Sequence, residues 1–140
     1  MSDTERLQTM ITQLKSMEVY LSELVSKESI IMRLIEEGKA ALDALKALDG
    51  NEKFSVMMPI GLGIYAQSTI EPDTKFLVNV GSGISIEKNR TDATLFIENR
   101  LRELEAALNS TVAQKRQVEE SMEEIRRNAN ALVMKMQKQG

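Results

Sequence analysis

Leu21-Ser-Glu-Leu24-Val-Ser-Lys-Glu28-Ser-Ile-Ile31-Met-Arg-Leu-Ile35 places one residue of a common stripe at alternating intervals of three and four. That spacing lines up one side chain per turn on a narrow face of a helix, which is the pattern of a coiled-coil seam. A second stretch, Leu108-Asn-Ser-Thr111-Val-Ala-Gln-Lys115-Arg-Gln-Val118-Glu-Glu-Ser-Met122, repeats the pattern. Read in opposite directions, the two stretches align layer by layer. Leu21 falls opposite Met122, Leu24 opposite Val118, Glu28 opposite Lys115, Ile31 opposite Thr111, and Ile35 opposite Leu108. Glu28 and Lys115 are the only charged residues in either seam, and they share a layer. A polar pair inside an apolar seam sets register at some cost in stability.

The alignment continues outward on both sides. Toward the termini, Met17 pairs with Ile125, Leu14 with Ala129, Met10 with Leu132 and Leu7 with Met136. In the other direction Gly38 pairs with Leu104, Leu42 with Leu101 and Leu45 with Ile97. The chain is therefore expected to contain two long antiparallel helices without an interrupting proline. Asp3 or Thr4 is the expected cap of the first, Asp49-Gly50-Asn51 its stop, and Thr91 or Asp92 the cap of the second. At a rise of ~1.5 Å per residue, an arm of about 45 residues would be roughly 65–70 Å long. Gly38 sits in a core slot, which points to close approach or a local bend. Ile11, Val19, Tyr20, Val25, Ile30, Met32 and Leu34 lie off the stripe and are expected to widen it.

Between the helices the period changes from 3.5 to 2. Residues 53–60, 64–70, 75–80 and 84–88 read as strands, with Glu71-Pro72-Asp73 as a turn. Two corners share one pattern twenty residues apart: Ile60-Gly-Leu-Gly-Ile64 and Val80-Gly-Ser-Gly-Ile84. The same strand–corner–strand unit is thus used twice, as two consecutive β-hairpins. The organisation is a first helix over 1–49, a β region over 50–90 and a second helix over 91–140, within one structural domain. The class is α+β: a long coiled-coil hairpin carrying a four-stranded insert.

Composition narrows the function. The 140 residues contain no Cys, no His and no Trp, so disulfides, zinc fingers and His- or Cys-based catalysis are excluded. A net charge of −3 disfavours nucleic-acid binding, which needs clustered cations. No apolar run reaches the roughly 20 residues of a membrane span, and a basic-then-apolar leader is absent from the start. The chain reads as a cytoplasmic protein with no membrane partner. Each Gly-x-Gly pair precedes a strand and not a helix, so it reads as a corner and not as a phosphate loop. The acids Glu36-Glu37 and Glu119-Glu120-Ser-Met-Glu123-Glu124 flank the seam and read as solvated faces. Arg126, Arg127, Lys135 and Lys138 read as helix-end cations favoured by the helix dipole. No catalytic, metal or cofactor site emerges, so an enzyme is not expected.

Met58-Pro59-Ile60-Gly61 and Val80-Gly-Ser-Gly-Ile-Ser-Ile-Glu-Lys88, set between two long helices, resemble the α-type subunit family of prefoldin. That family usually carries Val-Pro-aliphatic at the first strand end, where Met58 replaces Val, and an Ala in the opening of the second helix, where Ala93 stands. Four strands mark the α-type over the β-type. The resemblance implies a heterohexamer of two α-type and four β-type subunits, with the strands assembled into an oligomeric β-barrel. It also implies an ATP-independent chaperone, without cofactors, that captures unfolded client proteins at the arm tips and delivers them to a group II chaperonin. Carried over by position, the client-facing tip would comprise Leu7, Met10, Ile11, Leu14, Leu132, Val133, Met134 and Met136. The subunit contacts would comprise Phe54, Val56, Met58, Ile60, Ile64, Tyr65, Phe76, Val78, Val80, Ile84 and Ile86. The alternative is a structural coiled-coil adaptor that scaffolds a multiprotein complex.

Overall fold

The computed structural model describes residues 2–48 and 52–139. Its elements run α1 Asp3–Ala47, β1 Phe54–Gly61, β2 Ile64–Ile70, β3 Phe76–Gly81, β4 Ile84–Lys88 and α2 Arg90–Gln139. The expected stop at Asp49-Gly50-Asn51 lies outside the described residues. The chain divides into two compact units, residues 2–34 with 104–139 and residues 35–103.

Both expected caps are displaced toward the N-terminus. Ser2 Oγ accepts a hydrogen bond from the Glu5 N–H at 3.2 Å, so Ser2 caps α1 in place of Asp3 or Thr4. Asn89 Oδ1 accepts from the Asp92 N–H at 2.8 Å, so Asn89 caps α2 in place of Thr91 or Asp92. In both cases the cap satisfies an N–H three residues on that has no partner within its helix. The acids Asp3, Glu5 and Asp92 then fall in the first turns, where the helix dipole favours negative charge.

In the first unit the expected seam is the covered face. Leu24, Ile31, Met122 and Leu132 are buried, and Leu7, Met10, Leu14, Met17, Leu21, Leu108, Val118, Ile125, Ala129 and Met136 are half-buried. Thr111, 1 % exposed, donates its hydroxyl to the Ala107 carbonyl at 2.8 Å. This buried polar group is therefore satisfied within its own helix.

In the second unit Ile35, Ala93 and Leu101 are buried. A Cβ added at Gly38 would lie 2.7 Å from Leu101 Cδ2. The side chain filling the Gly38 notch therefore comes from Leu101, the neighbouring layer, and not from Leu104 as the alignment suggests. Close approach is the reason for the glycine. Arg90 Nη1 donates to the Leu48 carbonyl at 2.8 Å, tying the start of α2 to the last described residue of the first segment.

The four strands form two separate two-stranded antiparallel sheets, β1 with β2 and β3 with β4. The strands begin one residue later than expected for β1 and β3, and both run on into the first glycine of the corner. The two corners are built alike. Gly61 pairs with Ile64 and Gly81 with Ile84, and a register shift just before each leaves Ile60 and Val80 as bulged residues. The two residues at each tip have positive φ: Leu62 at 51° and Gly63 at 81°, Ser82 at 53° and Gly83 at 74°. This is the geometry of a type I′ turn, whose twist matches that of the flanking strands. Asn79 Oδ1 adds an acceptor for the Gly81 N–H at 2.9 Å.

Each corner holds one side-chain-bearing residue in a left-handed conformation, Leu62 in the first and Ser82 in the second. Leu62 takes a left-handed conformation that costs a side-chain-bearing residue about 1–2 kcal/mol. It is also fully solvent-exposed. Leu62→Asn should therefore stabilise the first hairpin by about 1 kcal/mol, because Asn tolerates this conformation. Hydrogen exchange of the Met57–Ala66 amides checks it: slowing of roughly fivefold is expected, and unchanged rates would show that the corner is unstrained.

Candidate functional site

Among the described residues no sheet has more than two strands, so every strand keeps an unpaired edge. A lone two-stranded hairpin is marginally stable in water, and open edges are templates for further pairing. The side chains are as incomplete as the edges. On β1 and β2, Met58, Ile60, Ile64 and Tyr65 are exposed, while Phe54 and Val56 are half-covered. On β3 and β4, Val80, Ile84 and Ile86 are exposed, while Phe76 and Val78 are half-covered.

Met57, Leu62 and Leu77 belong with these residues and were missed by the strand reading. All three are strongly exposed. Met57 pairs with Gln67 and Leu77 with Glu87, on the opposite face from Met58 and Val78. The signal was present in the unbroken apolar runs Val56-Met57-Met58-Pro59-Ile60 and Phe76-Leu77-Val78, which are apolar on both faces of the strand. Beside β3, an apolar groove of about 440 Å3 opens among Ala44, Leu45, Leu48, Phe76, Val78 and Phe96.

In the first unit the polar layer is assembled at contact distance. Lys115 Nζ lies 3.0 Å from Glu28 Oε2 and donates to Oε1 at 3.2 Å. The two side chains keep 27 % and 19 % of their exposure. Arg126, Arg127 and Lys135 have carboxylates nearby: Glu18 at 4.0 Å, Glu123 at 3.7 Å and Asp3 at 3.6 Å. Helix-end electrostatics is thus joined by cross-helix pairing through Glu18 and Asp3.

The tip residues split into two groups. Leu132 is buried, while Leu7, Met10, Leu14, Val133 and Met136 are half-buried. Of the eight, Ile11 and Met134 are exposed. The off-stripe residues of α1 do not widen a buried stripe. Ile11, Val19, Tyr20, Val25, Ile30, Met32 and Leu34 are all exposed, because one facing helix is too narrow to cover them. Over residues 104–139, α2 exposes only Met134 among its large apolar side chains. The uncovered apolar surface of this unit is carried by α1.

Among the described residues, no group of three or more His, Cys, Asp or Glu is placed to hold a metal ion. No described helix is long and apolar enough to cross a membrane.

Two long helices joined through paired hairpins with open edges are an architecture found in known proteins. The family model described as prefoldin subunit matches residues 17–138. The chain belongs to the prefoldin family. The prefoldin α subunit of Nitrosopumilus maritimus is 30 % identical over 136 residues, covering 97 % of this chain and 94 % of that one. The prefoldin α subunit of Thermofilum pendens is 33 % identical over 111 residues, covering 71 % and 84 %. These relatives place the chain with the α-type subunits. Among solved structures, the prefoldin β subunit from Thermococcus strain KS-1 superposes with a TM-score of 0.63 at 19 % identity, over 90 % of each chain. That likeness concerns the fold of helices and hairpins. Prefoldins are non-enzymatic chaperones, in keeping with a surface built from apolar side chains and strand edges.

Proposed function

We propose that this prefoldin subunit holds non-native proteins on its coiled coil, without ATP, and passes them to a group II chaperonin in the cytoplasm. The observation that carries the reading is the exposed apolar surface of α1, from Ile11 to Leu34, against an almost fully polar outer face of α2. Ile11, Val25 and Met32 recur at multiples of seven residues, so they share one flank of the seam and offer an apolar partner a row of contacts. Met32 and Met134 add flexible side chains that suit many partners. The tip residues Leu7, Met10, Leu14, Leu132, Val133 and Met136 join this surface when the last turns of the helices separate.

The hairpins serve assembly. Their open edges pair with those of β-type subunits, two α-type with four β-type, and the strands close into an oligomeric β-barrel. Phe54, Val56, Met58, Ile60, Ile64, Tyr65, Phe76, Val78, Val80, Ile84 and Ile86 supply the apolar contacts, and Met57, Leu62 and Leu77 supply the opposite face and the tip. The pair Glu28–Lys115 aligns the arms.

The test is suppression of aggregation. A chemically unfolded enzyme is diluted into the assembled complex and light scattering is followed. Replacing Ile11, Val25 and Met32 together by Ser should weaken client holding at least about tenfold, since each loses apolar burial on binding. The thermal midpoint should hardly move, because substitutions at exposed positions usually change stability by within ~0.5 kcal/mol. Undiminished holding by this triple variant would remove the α1 surface from the reading. A wild-type complex that fails to suppress scattering would instead be an adaptor.

A further inference from the structure

Where the start of α1 meets the last turns of α2 in the first unit, Arg6, Met10, Asn128, Ala131, Leu132 and Lys135 line a groove of about 460 Å3. That volume falls within the roughly 300–1,000 Å3 of ligand pockets. Its lining combines apolar side chains, Met10 and the buried Leu132, with two cations, Arg6 and Lys135. We propose that this groove selects client segments in which a large apolar side chain lies next to a carboxylate. The inference rests on the capture function proposed above and names the class of client that this end prefers.

The structure already holds one carboxylate between the two cations. Asp3 Oδ1 lies 3.8 Å from Arg6 Nη1, and Asp3 Oδ2 lies 3.6 Å from Lys135 Nζ. Both distances exceed hydrogen-bond length, whereas a freely placed carboxylate closes on such donors to about 2.7–2.9 Å. Arg6 and Lys135 keep 52 % and 54 % of their side-chain exposure, so their hold on Asp3 is weak and open to competition.

The helix dipole accounts for only one of the two cations. Lys135 lies near the C-terminal end of α2, where positive charge is favoured. Arg6 lies in the first turns of α1, where it is disfavoured. A cation placed against the dipole, in one groove with Met10, Leu132 and a second cation, fits an acidic-apolar occupant. From Ile125 to Gln139, α2 carries four cations and no carboxylate, in a chain whose net charge is −3. The last turns of α2 are thus cationic, and the carboxylates of this end, Asp3 and Glu5, come from α1.

The experiment measures anisotropy of three labelled peptides on the full chain assembled with its partner subunits. The peptides share a Leu-Phe-Leu centre and differ in flanks: Asp, Ser or Lys. The Asp-flanked peptide should bind about fivefold more tightly than the Ser-flanked one, the scale of a few exposed ion pairs. This preference should shrink as ionic strength rises from about 0.1 M to 1 M and the Debye length falls from ~10 Å to ~3 Å. Arg6→Gln with Lys135→Gln should abolish the preference and leave the Ser-flanked peptide unchanged, whereas Arg100→Gln, which removes a cation that does not line the groove, should preserve it. Asp3→Asn should raise affinity for the Asp-flanked peptide about twofold by removing the internal competitor. Equal binding of Asp- and Ser-flanked peptides, or a preference that survives the double substitution, overturns the inference while leaving capture intact. Failure of all three peptides to bind overturns capture and the inference with it.

Discussion

Lys115→Glu is expected to lower the unfolding free energy of the chain by about 2–3 kcal/mol. Lys115 Nζ sits 3.0 Å from Glu28 Oε2, and both side chains are largely covered by the seam. Reversing one charge leaves two carboxylates facing each other where water is mostly excluded. Breaking a fully buried pair costs ~3–5 kcal/mol, and the residual exposure here reduces that figure. The double reversal, Glu28→Lys with Lys115→Glu, should recover most of the loss. Chemical denaturation of the four species closes the cycle, and coupling of about 1 kcal/mol or more is expected between contacting residues. Additive single effects would rule out the contact.

The same layer separates stability from alignment. Replacing both residues by Leu should be neutral or stabilising by roughly 1–4 kcal/mol, because desolvating two charges is costly. Alignment should suffer, since an all-apolar seam no longer penalises a slip of one heptad. The chain has no native Cys, so engineered pairs report register without background. A disulfide between positions 14 and 129 should form in an otherwise native chain. One between 14 and 122 should become detectable only in the Leu–Leu variant. Trapping at 14 and 122 in the native seam would mean that Glu28 and Lys115 do not set the register.

Gly63→Val with Gly83→Val is expected to abolish assembly with partner subunits while leaving the helices intact. The two glycines have φ of 81° and 74°, where a β-branched residue is strained. Nothing stands within 4 Å of an added Cβ at either position, so the effect comes from the backbone and not from a clash. At about 1–3 kcal/mol per corner, the strain is comparable to the whole stability of a two-stranded hairpin. Native mass spectrometry should show the oligomer replaced by free chains, with far-ultraviolet dichroism near its original helical value. An oligomer that persists with both substitutions would place assembly elsewhere than on the hairpins.

The helical register was readable in the sequence because two matched heptad patterns over-determine it, with Glu28 and Lys115 as an internal check. Three features escaped. The caps were assigned one to three residues late because Ser2-Asp3-Thr4 and Asn89 to Asp92 each contain several residues able to cap. The bond to the N–H three residues on decides between them, as at Glu5 and Asp92. The exposure of Val19, Val25 and Met32 escaped because hydropathy does not distinguish a widened core from an uncovered flank. That outcome depends on the width of the facing helix. Leu101 filling the Gly38 notch escaped because residue spacing specifies layers but not which side chain leans into a vacancy.

The duplicated corner also places the hairpins in time. Each hairpin joins strands separated by two tip residues, so its pairing is local and closes within roughly 1–10 μs. Meeting a partner is far slower: at a micromolar concentration and ordinary association rates of about 10⁵–10⁷ M⁻¹s⁻¹, it takes on the order of 0.1–10 s. The edges therefore exist, unpaired, for almost the entire interval between folding and assembly. For a solitary chain the hazard is a waiting time, set by how much partner is present and hardly at all by how fast the chain itself folds.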